Sequence, residues 1–216
     1  MTQLYANQNL EDVNYCILDV ETTGLDSKHD QVIEIAGLKY SEGTNIETFS
    51  SLVKPSVPIP DQITYLTGIT DSDVEYAPPV EEVADSFQKF LSSSVIVGHN
   101  VNFDAGFLKN CGVRLPGEMF DTLDMAYILE PSAPSYNLGQ LADYLGIRVN
   151  QSHRALADCM TTLDLFKHLL NRIRHLRLDT LAQINGLSHK GNWTSSGVLT
   201  REFNRRVLEG HTENNS

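Results

Sequence analysis

The pattern of apolar and polar positions predicts three strands close together near the start of the chain. Residues 15–20 form a short apolar run that ends in an acid, and residues 31–40 and 46–53 are rich in β-forming side chains. A turn-forming stretch, 41–44 (SEGT), separates the second strand from the third, so we expect an antiparallel start. A fourth, buried strand is predicted at 95–97.

Helical spacing of apolar residues dominates the middle of the chain. The predicted helices cover residues 80–91, 102–110, 120–129, 138–145 and 155–176. Gly112 and Gly146 stand where the C-terminal ends of helices commonly place glycine. Strands and helices that mix in this way, with the early strands contiguous, predict an α/β domain.

The pattern weakens beyond about residue 177. A short helix at 178–184, a polar loop at 188–197, a helix at 199–208 with three arginines and a disordered end at 211–216 are predicted there. We therefore expect an N-terminal extension over 1–12, one domain over 13–176 and a partly helical appendage over 177–216. The arginine-bearing helix either packs on the domain through an amphipathic face or binds a nucleic-acid strand or a partner protein.

Composition and charge narrow the class of protein. The 216 residues are 41% hydrophobic and 20% charged, which is typical of a globular domain. No apolar run reaches the roughly 20 residues of a membrane helix, and the first residues lack the basic and apolar regions of a secretory signal, so we expect a cytoplasmic protein with no membrane partner. Residues 1–150 hold 7 basic and 22 acidic side chains, a net charge of −15, whereas residues 151–216 hold 9 basic and 6 acidic, a net charge of +3. The acidic part would repel phosphates unless bound cations offset its charge.

Two carboxylates stand at the end of the first predicted strand, in the stretch 17–25 (ILDVETTGL). Asp19 and Glu21 are two residues apart, so the period of a strand places both side chains on one face. Two such carboxylates raise each other's pKa or recruit a cation, and a hard ion such as Mg²⁺ prefers oxygen ligands. The alternative is a strand end with two solvated acids.

Two more polar clusters follow along the chain. In 99–104 (HNVNFD) an apolar strand runs into a polar loop, and Asp104 enters the first turn of a helix, where the helix dipole also favours an acid. In 153–158 (HRALAD), His153 and Asp158 would lie about 140° apart on one helix at roughly 100° per residue. They converge only if His153 lies in the loop before the helix and Asp158 in its second turn.

Together, the motifs DVETTG, HNVNFD and HRALAD resemble the three exonuclease motifs of the DEDDh 3′→5′ exonuclease family. Within that family the chain is similar to the proofreading (epsilon) subunit of bacterial DNA polymerase III and its relatives. The stretches LTGIT, FDTLDMA and NLGQLADYLGI add to the resemblance, which covers about residues 13–175. It implies an α/β, ribonuclease-H-like fold with a five-stranded mixed sheet, whose first three strands are antiparallel, flanked by helices.

The resemblance also implies a role for each matching position. Four carboxylates would ligate two divalent metal ions, Mg²⁺ or Mn²⁺: Asp19, Glu21, Asp104 and Asp158. His153 would be the general base and complete the catalytic set. The residues expected to bind the 3′-terminal nucleotide are Thr22, Thr23, Gly24, Leu25, His99, Asn100 and Phe103. For Phe103, packing in the core is the alternative, and Arg154 either contacts phosphate or is solvated.

We therefore predict a metal-dependent 3′→5′ exonuclease of the proofreading or repair type. It would hydrolyse phosphodiester bonds at single-stranded DNA 3′ ends and release 5′-mononucleotides, with a DNA polymerase or another replication or repair protein as a candidate partner. An exoribonuclease that acts on RNA ends is the alternative within the same chemistry. A binding module for a polymerase or helicase is the alternative from another class, and the five intact catalytic positions argue against it.

Overall fold

Five strands form one mixed sheet in the part of the chain that the structure describes. The computed structural model describes residues 10–41, 46–115, 117–149 and 153–213. The strands, in chain order, are β1 (Tyr15–Thr22), β2 (Val32–Tyr40), β3 (Glu47–Leu52), β4 (Val95–Gly98) and β5 (Met119–Asp121). Their order across the sheet is β3-β2-β1-β4-β5, with β1 to β3 antiparallel and β4 and β5 parallel to β1. The predicted five-stranded mixed sheet is confirmed.

The central strand β1 is buried on both faces, and its alternation sets the direction of the two acids. Tyr15 and Ile17 belong to one core cluster, together with residues of the long C-terminal helices, whereas Cys16 and Leu18 belong to a second cluster on the opposite face. Because successive side chains of a strand alternate between faces, Asp19 follows Ile17 onto the first of these faces.

Helices cover both faces of the sheet. In chain order, the helices of the described residues are α1 (Asp61–Thr67), α2 (Asp71–Val74), α3 (Val80–Leu91), α4 (Val101–Asn110), α5 (Thr122–Leu129), α6 (Leu138–Tyr144), α7 (Ala155–Arg174), α8 (Leu178–Lys190) and α9 (Ser196–Glu213). The prediction for α3 is confirmed at both ends, and those for α4, α6 and α7 are confirmed to within two residues. Gly112 and Gly146 follow the ends of α4 and α6 with positive φ, as predicted. The short helices α1 and α2 were not predicted, because prolines interrupt the pattern before them.

The predicted helix over 120–129 was wrong at its beginning. Phe120 is fully buried and pairs with Val97 in the parallel ladder between β4 and β5. Asp121 ends that strand and caps α5, because its side chain accepts a hydrogen bond from the N–H of Leu123. A strand and a capped helix therefore follow each other where one helix was predicted.

The C-terminal segment contains two long helices rather than a polar loop between short ones. The predicted loop over 188–197 was too long, because α8 continues to Lys190 and α9 begins at Ser196, which leaves residues 191–195 between the two helices. Leu181, Val198 and Leu199 are fully buried in the same core cluster as Tyr15 and Ile17. Of the two interpretations of this segment, packing on the domain is therefore the one that the structure bears out.

The three arginines of α9 all contact groups of the protein. Arg201 pairs with Glu118, Arg205 pairs with Glu202, and Arg206 donates a hydrogen bond to the carbonyl of Leu176. Residues 211–213 of the predicted disordered end belong to α9, and residues 214–216 lie outside the described residues. The domain boundaries at 12 and 176 stay predictions. No helix within the described ranges has the length and apolar character needed to cross a membrane.

Candidate active site

Three carboxylates from two distant parts of the chain meet beside the central strand. Asp19 and Glu21 lie on β1, and Asp158 lies in the first turn of α7. One carboxylate oxygen from each of the three lies within 4.8 Å of the others, and all three residues are half-buried. The predicted shared face of Asp19 and Glu21 is confirmed, and docking of α7 brings Asp158 to it.

The fourth predicted acid, Asp104, is buried beside this group. It lies in the first turn of α4, as predicted, and is only 3% exposed. Its Oδ1 accepts a hydrogen bond of 3.0 Å from the backbone N–H of Val20, the residue between Asp19 and Glu21. This bond attaches the N-terminal turn of α4 to β1. The structure therefore places Asp104 next to the three converging carboxylates, although it is not one of the three that lie within 4.8 Å of one another.

The acids raise one another's affinity for protons. Burial, followed by the charge of Asp104, raises the pKa of Asp19 well above its ordinary value. Burial and the neighbouring charge of Asp158 raise the pKa of Glu21 to about 8. The pKa of Asp104 rises to about 7, chiefly because the residue is buried. Burial also raises the pKa of Asp158, against the opposing effect of a hydrogen bond from His153. Ionising these carboxylates together is therefore costly, and a divalent cation would offset that cost.

His153 lies just before α7 and contacts Asp158 through its backbone. Its N–H donates a hydrogen bond of 3.0 Å to Oδ2 of Asp158. His153 has a φ of 61°, a left-handed conformation that is uncommon outside glycine. The two residues converge as predicted with His153 in the loop, but Asp158 lies in the first turn of α7 rather than the second. The half-buried histidine therefore lies at the edge of the acidic group.

The end of β1 continues into a turn fixed by internal contacts. The hydroxyl of Thr22 donates to the carbonyl of Gly24 at 2.6 Å, and that of Thr23 donates to Asp30 Oδ1 at 3.3 Å. Gly24 is packed so tightly that an added Cβ would overlap the carboxylate of Asp30. The next side chain, Leu25, is 84% exposed. The turn thus presents an apolar side chain to solvent directly beyond the two acids.

His99 is held by the protein through both of its ring nitrogens. Nδ1 lies 2.9 Å from the hydroxyl of Thr122, and Nε2 lies 2.8 Å from the carbonyl oxygen of Tyr136. Burial lowers the pKa of His99. These contacts fix the ring in place and occupy both ring nitrogens. His99 can therefore contact a ligand through the surface of its ring rather than through a hydrogen bond from a ring nitrogen.

Asn100 and Phe103 lie at the beginning of α4, the helix whose first turn contains Asp104. Asn100 is exposed and adopts a left-handed conformation with a φ of 66°. Phe103 is half-buried, and its ring centroid lies 5.0 Å from that of Phe107. Phe103 therefore packs on the core and keeps part of its ring open to solvent.

The sequence reasoning missed two buried acids that build the site. Asp121 accepts hydrogen bonds from the backbone N–H groups of Asn100 and Val101, each at 3.0 Å, and so holds the beginning of α4. Glu34 lies directly opposite Glu21 in the antiparallel pair of β1 and β2, and pairs with Arg154. The signal for Glu34 was an acid inside the apolar strand VIEIAGL, since a buried acid needs a partner. Neither predicted role of Arg154 anticipated this ion pair.

Comparisons with known proteins find similar chains among exonucleases and DNA polymerases. The family model described as an exonuclease, RNase T, matches residues 16–166. A PolC-type DNA polymerase III of Caldanaerobacter subterraneus is 33% identical over 177 residues, which are 80% of this chain and 13% of that protein. The 3′-5′ exonuclease DinG of Bacillus subtilis is 37% identical over 180 residues, 81% of this chain and 19% of that protein. The chain thus spans less than a fifth of the length of these two relatives.

Two solved structures share the fold. Exonuclease X in complex with 5′ overhanging duplex DNA has a TM-score of 0.63 at 30% identity and covers 73% of this chain and 91% of its own. Escherichia coli exonuclease I in complex with a dT13 oligonucleotide has a TM-score of 0.67 at 22% identity and covers 79% of this chain and 43% of its own. At that identity, the second likeness concerns the fold alone.

Proposed function

The chain belongs to the RNase T exonuclease family, and on this premise we propose that it removes nucleotides from single-stranded DNA 3′ ends with the help of divalent cations. The products would be 5′-mononucleotides. The observation that carries the proposal is the convergence of Asp19, Glu21 and Asp158, with carboxylate oxygens within 4.8 Å of one another.

The donor set fits hard divalent cations. It offers carboxylate oxygens, which Mg²⁺ and Mn²⁺ prefer, and the raised pKa values report negative charge that a cation would balance. Asp19, Glu21 and Asp158 would hold one ion, and Asp104 with Asp19 would contribute to a second. Two divalent ions would balance the charge of the four carboxylates, and when bound they would stabilise negative charge on the phosphoryl and leaving oxygens.

His153 would accept the proton of the attacking water. An imidazole can take up a proton near neutral pH, and contributions of this kind are typically worth about 10²–10⁴ in rate. The loop position supports this role, because the backbone of His153 is already tied to Asp158 and only its side chain has to approach the water.

The turn after β1 would receive the terminal nucleotide. Thr22, Thr23 and Gly24 form a turn in which backbone can approach the sugar, and exposed Leu25 would pack against the base. On the other side, Asn100 would contact the nucleotide directly, whereas His99 and Phe103 would shape the wall.

Two of the related proteins support DNA as the substrate. The relatives include a DNA polymerase III, and the exonuclease X structure contains duplex DNA. The same relatives support the proposal of a role in proofreading or repair beside a DNA polymerase. An exoribonuclease and a binding module are the competing functions that an assay has to separate.

The test is a degradation assay with matched DNA and RNA oligonucleotides, single-stranded and with mispaired 3′ ends. We expect Mg²⁺- or Mn²⁺-dependent release of 5′-mononucleotides, fastest from single-stranded DNA and absent with EDTA. Asp19→Ala should abolish the activity, and Asp85→Ala, which removes an exposed acid from α3, should keep it. Full activity in a folded Asp19→Ala protein would contradict the proposed site. Preferential degradation of RNA would favour the exoribonuclease, and tight binding of DNA without degradation would favour the binding module.

A further inference from the structure

A buried glutamate lies beside the proposed metal ligands without being one of the three that converge. Glu34 is 2% exposed and stands directly opposite Glu21 in the pair of β1 and β2. A charged carboxylate at such a position is costly unless hydrogen bonds and an opposite charge compensate it. The contacts of Glu34 therefore indicate what this position is for.

Among the described residues, Glu34 accepts three hydrogen bonds, all from the beginning of α7. Arg154 donates from Nε to Oε2 at 3.1 Å and from Nη2 to Oε1 at 2.9 Å, which is a two-bond fork of the strong kind. The backbone N–H of Ala155, the first residue of α7, donates to Oε2 at 3.1 Å. Arg154 is the N-cap residue of α7, but its side chain makes no capping hydrogen bond. Glu34, which lies on β2, instead accepts the hydrogen bond of a free N–H group at the beginning of the helix.

The same few residues of α7 also bear the catalytic groups. Arg154 lies between His153 and Ala155, and the N–H of His153 donates to Asp158 in the first turn of the helix. A shift of the helix N-terminus relative to β2 would move both His153 and Asp158 away from Glu21. The position of the helix end and the geometry of the site are thus fixed by one set of contacts.

We propose that Glu34 and Arg154 are positioning residues that clamp the N-terminus of α7 to β2 and so hold Asp158 and His153 against Asp19 and Glu21. This inference rests on the proposed function, in which these residues bind metal and take up a proton. The clamp consists of the Glu34 carboxylate, the Arg154 guanidinium and the Ala155 N–H.

The test measures Mn²⁺ binding by calorimetry on the whole chain without nucleic acid, and kcat and KM on a single-stranded DNA oligonucleotide at saturating Mn²⁺. Glu34→Gln and Arg154→Ala should each weaken Mn²⁺ binding or lower kcat by roughly 10–100-fold, the usual effect of losing a group that orients metal ligands. KM for the oligonucleotide should stay within about twofold, and Arg154→Lys should recover part of the loss because it keeps the charge without the fork.

The chain offers a matched control in α9. Glu202 is buried there and is held by Arg205 through the same two-bond fork, at 3.0 and 2.7 Å. Glu202→Gln should lower Tm as Glu34→Gln does, because each loses one buried ion pair, but it should leave Mn²⁺ binding unchanged. A Glu34→Gln protein that matches Glu202→Gln in both Mn²⁺ binding and kcat would overturn the proposal.

Further outcomes separate the proposal from its competitors. The Arg154 side chain is 42% exposed, so we expect the Arg154 variants to fold even if Glu34→Gln does not. In that case the Arg154 variants are used to test the proposal. A raised KM with unchanged Mn²⁺ binding and kcat in Arg154→Ala would mean that Arg154 acts on substrate phosphates, which overturns the clamp. If the wild-type chain binds Mn²⁺ but degrades no DNA, the proposed function fails while Mn²⁺ binding still tests the clamp. A wild-type chain that binds no Mn²⁺ overturns both.

Discussion

Replacing Asp104 by asparagine removes a buried charge from the candidate site and keeps the size of the side chain. Asp104 is 3% exposed, and burial raises the pKa of its carboxyl from 3.8 to about 7. At pH 8 the metal-free protein has to hold this carboxylate ionised in a place that favours the proton. The Asp104→Asn variant carries no such charge, so it should be the more stable protein under those conditions.

The size of the effect follows from the shift in pKa. A rise from 3.8 to about 7 corresponds to roughly 4 kcal/mol at about 1.4 kcal/mol per unit. Because the folded chain binds this proton more tightly than the unfolded chain, the stabilisation is complete below pH 3.8 and is lost as the pH rises through 7. The asparagine NH₂ cannot accept hydrogen bonds, which costs about 1 kcal/mol. Asp104→Asn should therefore gain about 3 kcal/mol at pH 8 and less than about 1 kcal/mol at pH 5.

The assay is urea unfolding in EDTA at both pH values. Asp121→Asn is the matched control, because this buried aspartate accepts from the backbone N–H groups of Asn100, Val101 and Leu123. It should lose about 1–3 kcal/mol at both pH values. Saturating Mn²⁺ should reverse the order of wild type and Asp104→Asn, because a ligand stabilises the state that binds it. An Asp104→Asn protein less stable than wild type at pH 8 in EDTA would refute the reasoning.

Three further predictions concern the turn after β1 and the loop before α7. Gly24→Ala should lower Tm in a thermal melt. The added Cβ would displace the Asp30 carboxylate, which accepts hydrogen bonds from the Thr23 hydroxyl and the Asp26 N–H, and losing such bonds costs roughly 1–3 kcal/mol; an unchanged Tm would contradict this account. Leu25→Ser should leave stability within about 0.5 kcal/mol, since the side chain is 84% exposed, but raise KM for a DNA oligonucleotide roughly tenfold; an unchanged KM would remove Leu25 from the substrate site. His153→Asn, which tolerates the left-handed φ of 61°, should lower kcat by roughly 10²-fold or more while calorimetric Mn²⁺ affinity stays within about twofold; the reverse pattern would exclude the general base.

The parts of the site that depend on local periodicity could be predicted from the sequence. Asp19 and Glu21 share a face because the period of a strand is two, and Asp104 entered a helix where the pattern changed from strand to helix. Asp158 meets them only because of how α7 docks on the sheet. The periodicity of the sequence carries no information about that docking. For that step, the resemblance of three motifs to a family supplied the prediction.

The elements that escaped prediction are short or are polar but buried. The strand β5 has three residues, too few for a period, and only its pairing with β4 makes it a strand. Ser188 suggested a loop, yet it is buried in α8, where its Oγ donates to the carbonyl of Asn185. Ser195 does lie in the turn between α8 and α9, but it too is buried, with its Oγ accepting from the N–H of Asp121. Hydrogen bonds of this kind depend on the neighbouring groups, so polar composition alone misplaced Ser188 and missed the burial of both serines.

The position of β1 at the centre of the sheet has a consequence for how the chain is synthesised. The hydrogen bond between Val20 and Asp104 spans 84 residues, and that between Cys159 and Ile17 spans 142. When only the first three strands have been synthesised, Asp19 and Glu21 are present, but α4 with Asp104 and α7 with Asp158 are not. Contacts so distant in sequence form late in folding. A nascent or half-folded chain thus has no assembled acidic group, and the proposed hydrolytic site arises only when α7 docks.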